Sequence, residues 1–248
     1  MNITEKAMKN YKKLFGEEVK EENDSELMEI IANFALDEAQ AQDNLDEKTR
    51  QMVIIAATIA VQTPKRYEMA VRAALNVGVT PVEIKEILYQ AVPYTGLLKV
   101  LDLLEITNKV FEEKGVKLPL EKQGTTNLEN RFEKGLEVQK SIFGETIDNN
   151  YKNSPKNQVH IQKFLSDNCF GDFYTRNGLD VRTRELITFS ILISQGGCEP
   201  QVKGHIAGNV NVGNDKQTLI NTVTALLPFI GYPRSLNALS CINEVIKD

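Results

Sequence analysis

Three groups that can move protons or attack a substrate lie close together between residues 179 and 213. Glu185 stands in Arg-Glu-Leu-Ile-Thr-Phe, Cys198 in Gly-Gly-Cys-Glu-Pro, and His205, one of only two histidines, in Gly-His-Ile-Ala-Gly. A carboxylate beside an imidazole is an acid–base pair, and a thiolate is a nucleophile or a redox group. The segment therefore offers proton transfer, thiol chemistry, or both.

Glu185 begins an otherwise apolar helix predicted over 181–195. Its carboxylate lies either in the solvated first turn, where it complements the helix dipole, or inside the core, where it can transfer protons. Position alone favours the solvated, structural role. A related segment earlier in the chain, residues 45–50 and beyond, carries Gln51 at the position of Glu185. The helix itself therefore does not require a charge there.

Cys198 precedes Pro200, which suits the first position of a helix. A thiol at a helix N-terminus gains thiolate character from the positive end of the dipole. The alternative is that Cys198 is a small buried hydrophobe, which is the commonest role of an isolated cysteine.

His205 is spaced four residues after Gln201, so both lie on one face of the helix that follows Pro200. The earlier segment holds Ala70 in place of His205, so packing there accepts a methyl group. Arg234 follows a Gly-Tyr-Pro turn and can present its guanidinium to a carboxylate. A lone histidine is more often structural, and an exposed arginine after a turn usually only interacts with solvent. Against these alternatives, we expect Glu185, His205 and Cys198 to be catalytic and Gln201 and Arg234 to bind substrate.

The chain contains an internal duplication with a period of about 135 residues. Leu-Asp-Glu-Lys-Thr-Arg at 45–50 matches Leu-Asp-Val-Arg-Thr-Arg at 179–184, and Pro-Tyr-Thr-Gly at 93–96 matches Pro-Phe-Ile-Gly at 228–231. The duplication predicts a first repeat over 1–113, a linker over 114–126 and a second repeat over 127–248. The first repeat lacks the reactive groups, so we expect the working site in the second repeat only.

Both repeats are predicted to be helical. Apolar residues recur at helical spacings, and no stretch alternates with the period of a strand, so the fold class is all-α. A proline and a glycine at 93–96 predict a break between two helices. The predicted helices of the first repeat are 3–15, 25–41, 47–61, 64–76, 81–92 and 97–113, and those of the second include one ending at Gly144, one at about 154–168 and one at 181–195.

Composition excludes several classes of function. The 248 residues carry a net charge of −5, which gives no electrostatic footprint for nucleic acid or for an anionic membrane. Two histidines 45 residues apart provide no metal-ligand spacing. Three cysteines without framework spacing fit free thiols in a reducing compartment, and the N-terminus lacks the apolar segment of a signal peptide. We expect a cytoplasmic protein.

The helices at 50–61 and 186–195 are apolar nearly all round. Two half-sized domains cannot bury both helices fully, so we expect a homo-oligomer, with a trimer as the first expectation.

These motifs resemble the carboxymuconolactone decarboxylase family, which includes alkylhydroperoxidase D. The resemblance rests on Leu-Asp-x-Arg-Thr-Arg, the apolar helix, the His-Ile segment ending in Asn-Val-Gly, and the kinked Pro-Phe-Ile-Gly-Tyr-Pro. It implies a helical bundle that forms trimers or hexamers, with the tandem chain similar to a fused pseudo-dimer. It also implies that Glu185 and His205 are the proton-handling pair, and that Cys198 occupies the first cysteine of a Cys-x-x-Cys motif whose second cysteine is replaced by Gln201.

Three functions remain open. The first is a lyase that decarboxylates a small acidic metabolite with His205 and Glu185 and no organic cofactor, because the substrate carbonyl is the electron sink. The second is a thiol peroxidase with peroxiredoxin activity that uses Cys198. The third is a non-catalytic oligomeric scaffold.

Overall fold

The structure is a computed structural model that describes residues 2–18 and 24–247. In this part of the chain there are α-helices and two π-helical segments but no strand. The first repeat contains α1 Glu5–Phe15, α2 Ser25–Asn33, π1 Phe34–Glu38, α3 Glu47–Ala60, α4 Pro64–Asn76, α5 Pro81–Thr95 and α6 Leu98–Glu113. The second contains α7 Arg131–Phe143, α8 Thr146–Asn153, α9 Val159–Phe164, π2 Leu165–Tyr174, α10 Val181–Gln195, α11 Glu199–Asn211, α12 Lys216–Ile230 and α13 Tyr232–Val245.

The same capping groups begin and end matching helices in the two repeats. Asp46 and Asp180 each accept a hydrogen bond from the backbone amide three residues later, which satisfies an orphan donor at the start of α3 and of α10. Gly78 and Gly213 have φ values of 89° and 94°, a region that favours glycine, immediately after α4 and α11. These pairs confirm the duplication at the level of the backbone.

The central helices of the two repeats, α3 and α10, pack against each other. Residues 50–60 of α3 and 184–194 of α10 are all buried. Apolar side chains from both form one core cluster that continues into α4, α5, α11 and α12. The premise that a single chain cannot bury these two helices is therefore wrong, because each repeat covers the apolar helix of the other.

Pro93 does not interrupt α5, contrary to the predicted break at 93–96. The helix continues through Pro93 to Thr95 and ends at Gly96, whose amide donates to the carbonyl of Val92. α12 likewise contains Pro228 and ends at Gly231. A proline removes one amide donor, but the hydrogen bond across it preserves the last turn in both helices.

The helix predicted at about 154–168 is instead two elements, α9 and the π-helical segment π2. π2 packs backbone to backbone on α7: a Cβ at Gly135 would lie 1.9 Å from the carbonyl oxygen of Ser166, and one at Gly171 would lie 2.2 Å from that of Arg131. Wider π geometry is uncommon and occurs frequently at functional sites. Here it directs Cys169, which is buried, toward α5.

The segment between α6 and α7, residues 114–130, contains no regular helix or strand. Val116, Leu118 and Leu120 nevertheless pack against the main core cluster. The connection between the repeats is therefore held against the molecule along much of its length.

Candidate active site

Glu185 lies in the core and not in a solvated first turn. It stands in the second turn of α10, after the Asp180 cap, and is 0% exposed. Its Oε1 accepts a hydrogen bond from the Tyr174 hydroxyl at 2.6 Å, and its Oε2 lies 2.9 Å from Nδ1 of His205. A buried carboxylate requires partners of this kind, because an unpaired charge in the core is strongly unfavourable.

His205 comes from α11 and has a side chain that is 12% exposed. Nδ1 faces Glu185, and this contact fixes the orientation of the ring. The rings of Tyr94 and Phe143 meet the imidazole edge to face, each with a centroid separation of 5.4 Å. The imidazole is thus oriented by a carboxylate and held between two aromatic walls.

Asn209 joins the two helices that carry the pair. Its Nδ2 donates to the backbone carbonyl of Glu185 at 3.0 Å and to that of His205 at 2.7 Å. Its Oδ1 accepts from Nδ2 of Asn214. These bonds set the relative position of α10 and α11 next to Glu185 and His205.

Gly208 permits the helices to approach. A Cβ at this position would lie 2.6 Å from Oε2 of Glu185 and 2.8 Å from Cε1 of Phe143. Glycine is therefore required by space next to the carboxylate, and not by backbone conformation.

A hydrogen-bonded cluster of hydroxyl groups lies behind Glu185. The Tyr174 hydroxyl is 2.9 Å from Oγ1 of Thr188 and 3.0 Å from the hydroxyl of Tyr94, which in turn receives a bond from Cys169 Sγ. Burial raises the pKa of Tyr94 and of Tyr174 well above its ordinary value and raises the pKa of Cys169 to about 12. These three groups are therefore neutral at physiological pH.

The first repeat contributes directly to this site. Tyr94 comes from α5, and Gln90 on the same helix donates to Thr188 at 3.0 Å. Our expectation of a site built from the second repeat alone is wrong in this respect. The proline-containing helix of each repeat packs against the central helix of the other: α5 packs against α10, and α12 packs against α3. In this way α5 completes the site of the second repeat.

We expected Cys198 at the edge of the Glu185–His205 site. The hydrogen bond of its thiol is instead to the backbone of α10, and not to either member of the pair. Its Sγ donates to the carbonyl of Leu192 at 3.4 Å, inside a cavity of about 20 Å³ that is also lined by Arg234 and Cys241. Burial is the largest influence on the Cys198 thiol and raises its pKa. The position before α11 therefore does not favour a thiolate, because burial and the nearby charge of Glu199 both raise the pKa of the thiol.

The two residues expected to bind substrate do not join the pair either. Arg234 is exposed, and its side chain packs beside Gly196 in the cavity of Cys198. Gln201 is exposed near the start of α11. The imidazole of His205, by contrast, is largely buried between Tyr94 and Phe143.

Sequence reasoning missed Tyr174, Tyr94 and Asn209. The sequence did contain a signal for Tyr94. When the two proline motifs are aligned, Tyr94 matches Phe229, so the hydroxyl group occurs only in the first repeat. Tyr174 had none, because π geometry is not visible in a helical period.

A buried ion cluster connects the repeats beneath this site. Glu86 of α5 accepts from Arg184 at 2.8 Å and from Arg176 at 2.9 to 3.1 Å. Arg184 also donates to Oε1 of Gln90. The carboxylate therefore fixes α5 against α10 and against the segment between π2 and α10.

Within residues 2–18 and 24–247, no three His, Cys, Asp or Glu side chains are placed to hold a metal ion. In the same residues, no helix has the length and apolar content needed to cross a membrane.

Comparison with known proteins identifies relatives of both repeats. The family model described as the carboxymuconolactone decarboxylase family matches residues 25–109 and 160–244. The chain is 30% identical over 123 residues to 4-carboxymuconolactone decarboxylase of Acinetobacter baylyi, covering 49% of this chain and 91% of that protein. It is 25% identical over 118 residues to nitrosuccinic acid decarboxylase of Metarhizium robertsii, covering 47% of this chain and 82% of the relative.

A solved structure assigned as a gamma-carboxymuconolactone decarboxylase subunit of Burkholderia xenovorans LB400 superimposes with a TM-score of 0.54 and 19% identity. The match covers 94% of this chain and 93% of that one, so it supports the fold of the entire chain. Together with the double match of the family model, these findings show that the chain is a two-repeat member of the carboxymuconolactone decarboxylase family.

Proposed function

We propose that the protein decarboxylates a small acidic metabolite by acid–base catalysis at the His205–Glu185 pair. The observation that carries this proposal is the 2.9 Å contact between His205 Nδ1 and a carboxylate that is wholly buried and held on its other oxygen by Tyr174. Relatives named as decarboxylases of small acids support the type of reaction.

In this reaction the bond between the substrate and its carboxylate carbon breaks, and CO₂ leaves. The electron pair moves into an adjacent electron sink, such as a carbonyl or a vinylogous lactone, and gives an enolate. The imidazolium of His205 then donates the proton on Nε2 to the enolate carbon. Glu185 balances the charge of the imidazolium while it exists, and His205 regains its proton from solvent.

The surroundings of the pair favour the loss of CO₂. Tyr94 and Phe143 present aromatic surface beside the imidazole, and such walls stabilise a negatively charged carboxylate less well than water does. Tyr174 donates its hydroxyl hydrogen to Glu185, so the carboxylate keeps one orientation through the cycle.

The thiol peroxidase alternative receives less support from the geometry. Its nucleophile would be Cys198, a thiol whose pKa is raised by burial and which lines a cavity that neither Glu185 nor His205 lines. Cys241 lines the same cavity, so a second thiol is present on that side of α11.

The test is the release of CO₂ from 4-carboxymuconolactone and a panel of β-keto acids by the wild type and by Glu185→Gln, His205→Ala and Cys198→Ser. We expect the first two substitutions to reduce kcat by roughly 10²- to 10⁴-fold and Cys198→Ser to leave it unchanged. Peroxide turnover that disappears only in Cys198→Ser would instead favour the peroxidase. Turnover that is equal in all four proteins would remove the pair from the chemistry, and no turnover of any acid or peroxide would favour the scaffold.

A further inference from the structure

The first repeat contains a cavity at the place that corresponds to the His205–Glu185 site. It has a volume of about 360 Å³ and lies between α1, α2, π1, α3, α4 and α12. Its walls include Gln51, Ala70 and Phe229, the counterparts of Glu185, His205 and Tyr94. The packing of the proline-containing helices is reciprocal, because α12 completes this cavity as α5 completes the site of the second repeat.

The replacements remove charge and leave space. A methyl group at Ala70 occupies far less volume than an imidazole, and the cavity walls are mostly apolar side chains, among them Leu14, Phe15 and Ile54. A volume of this size falls in the range of small-molecule sites, roughly 300 to 1,000 Å³. The cavity is partly open to solvent, so a small molecule can enter it.

Among the described wall residues, charge is neutralised except at Arg66 near the N-terminus of α4. Asp43 and Arg50 bind each other through two hydrogen bonds of 2.7 Å. Arg66 is exposed, and in the described residues its hydrogen-bond partner is the sulfur of Met69 at 3.3 Å. This guanidinium is therefore available to a carboxylate that lies at the edge of the cavity.

We propose that the first repeat binds a small carboxylic acid with an apolar body, which it holds without reacting. The apolar body occupies the space beside Ala70 and Phe229, and the carboxylate meets Arg66. The site binds without catalysing, because Gln51 and Ala70 replace the two proton-handling groups. This inference concerns binding in the first repeat and is independent of the reaction proposed for the second.

The proposal is tested by calorimetric titration of the full-length protein with octanoate, and with octanol as a neutral probe of the same length. We expect octanoate to bind more tightly than octanol. Arg66→Gln changes an exposed side chain to the residue type at the matching position of the second repeat, Gln201. It should weaken the binding of octanoate roughly three- to tenfold and leave the binding of octanol unchanged. Lys65→Gln, the neighbouring exposed cation, is the matched control and should change neither.

Two further variants examine the interior of the cavity. Gln51→Glu is nearly isosteric and places a negative charge on the wall, so it should weaken octanoate more than octanol, whereas Gln158→Glu outside the cavity should not. Ala70→Phe fills the space and should abolish binding of both probes, with circular dichroism and Tm confirming that the variant is folded.

Absence of octanoate binding to the wild type overturns the proposal, as does binding that is insensitive to Gln51→Glu and Arg66→Gln. If Ala70→Phe changes the molecular mass in sedimentation while octanoate does not bind, the cavity is a contact between copies of the chain, which also overturns it.

Discussion

At the scale of single residues, the site depends on a carboxylate that would be unfavourable without its partners. Glu185 is accommodated because both of its oxygens are occupied, one by Tyr174 and one by His205. The first repeat keeps the same helix with Gln51, and Gln51 is also buried. A carboxyl group at this position is therefore not needed for packing, which agrees with a chemical role.

Gly208→Ala should remove activity and lower stability by about 1 to 3 kcal/mol, because the new Cβ would overlap Oε2 of Glu185 and the ring of Phe143. Gly204→Ala on the same helix has no atom within 4 Å of the new Cβ and should instead raise stability by about 0.4 to 1 kcal/mol. Chemical denaturation and the CO₂ assay measure both effects. Equal behaviour of the two variants would show that steric conflict at Glu185 is not the cause.

The Cys169 thiol should make stability fall in alkaline solution. Its pKa is raised to about 12 in the folded protein, above that of an unfolded thiol at about 8.5. Above pH 8.5 the unfolded chain therefore binds fewer protons than the folded chain, and stability decreases by up to about 1.4 kcal/mol per pH unit until about pH 12.

Cys169→Ala should make this decrease shallower, and the difference between the two proteins isolates the thiol from the tyrosines and the other cysteines. Denaturant titrations between pH 7.5 and 10.5 provide the measurement. Identical slopes for both proteins would contradict a buried, neutral Cys169.

At the scale of elements, α5 is the helix that connects the repeats at the site. Tyr94 and Gln90 reach the hydroxyl cluster, and Glu86 binds Arg176 and Arg184 one turn before Gln90. Arg184 and Glu86 are 0% and 1% exposed, so their attraction is little weakened by solvent.

Glu86→Gln should lower stability by about 3 to 5 kcal/mol, because it leaves the buried guanidinium of Arg184 without a carboxylate. Asp148→Asn is the matched control, because it removes an exposed ion pair with Lys140. The side chains of Lys140 and Asp148 are 39% and 64% exposed, so the loss should have little effect on stability. Thermal unfolding compares the two variants. A small loss in Glu86→Gln would show that α5 is held by apolar packing alone.

At the scale of the whole molecule, homo-oligomer formation stays a prediction, but with a different basis. The apolar helices α3 and α10 are buried within one chain. Large apolar side chains are exposed instead at matching positions of the repeats, Leu97 and Leu101 near the start of α6 and Tyr232 and Leu236 near the start of α13.

Light scattering should therefore give a mass that is a multiple of 27.9 kDa, and the double substitution Leu101→Lys and Leu236→Lys should reduce it. Leu128→Lys, at a side chain that is 83% exposed outside these positions, is the control. A mass of one chain at every concentration would remove the prediction, and an unchanged multimer in the double variant would place the interface elsewhere.

Much of the protein was determined by the sequence alone. Caps such as Asp46 and Asp180, and glycines such as Gly78 and Gly213, act over a few residues, so the all-α class and the duplication are visible without coordinates. The pairing of Glu185 with His205 was also predictable, because the unreactive counterparts Gln51 and Ala70 separate chemistry from packing.

Tertiary structure decided what depends on neighbours distant in the chain. It brought Tyr94 of the first repeat to His205, placed Cys198 in a cavity that the pair does not line, and gave the π2 geometry that turns Tyr174 toward Glu185. None of these follows from helical spacing, since spacing specifies a face of one helix but not which helix covers it. The packing of two repeats against each other supplies that information, and it exists only in the folded chain.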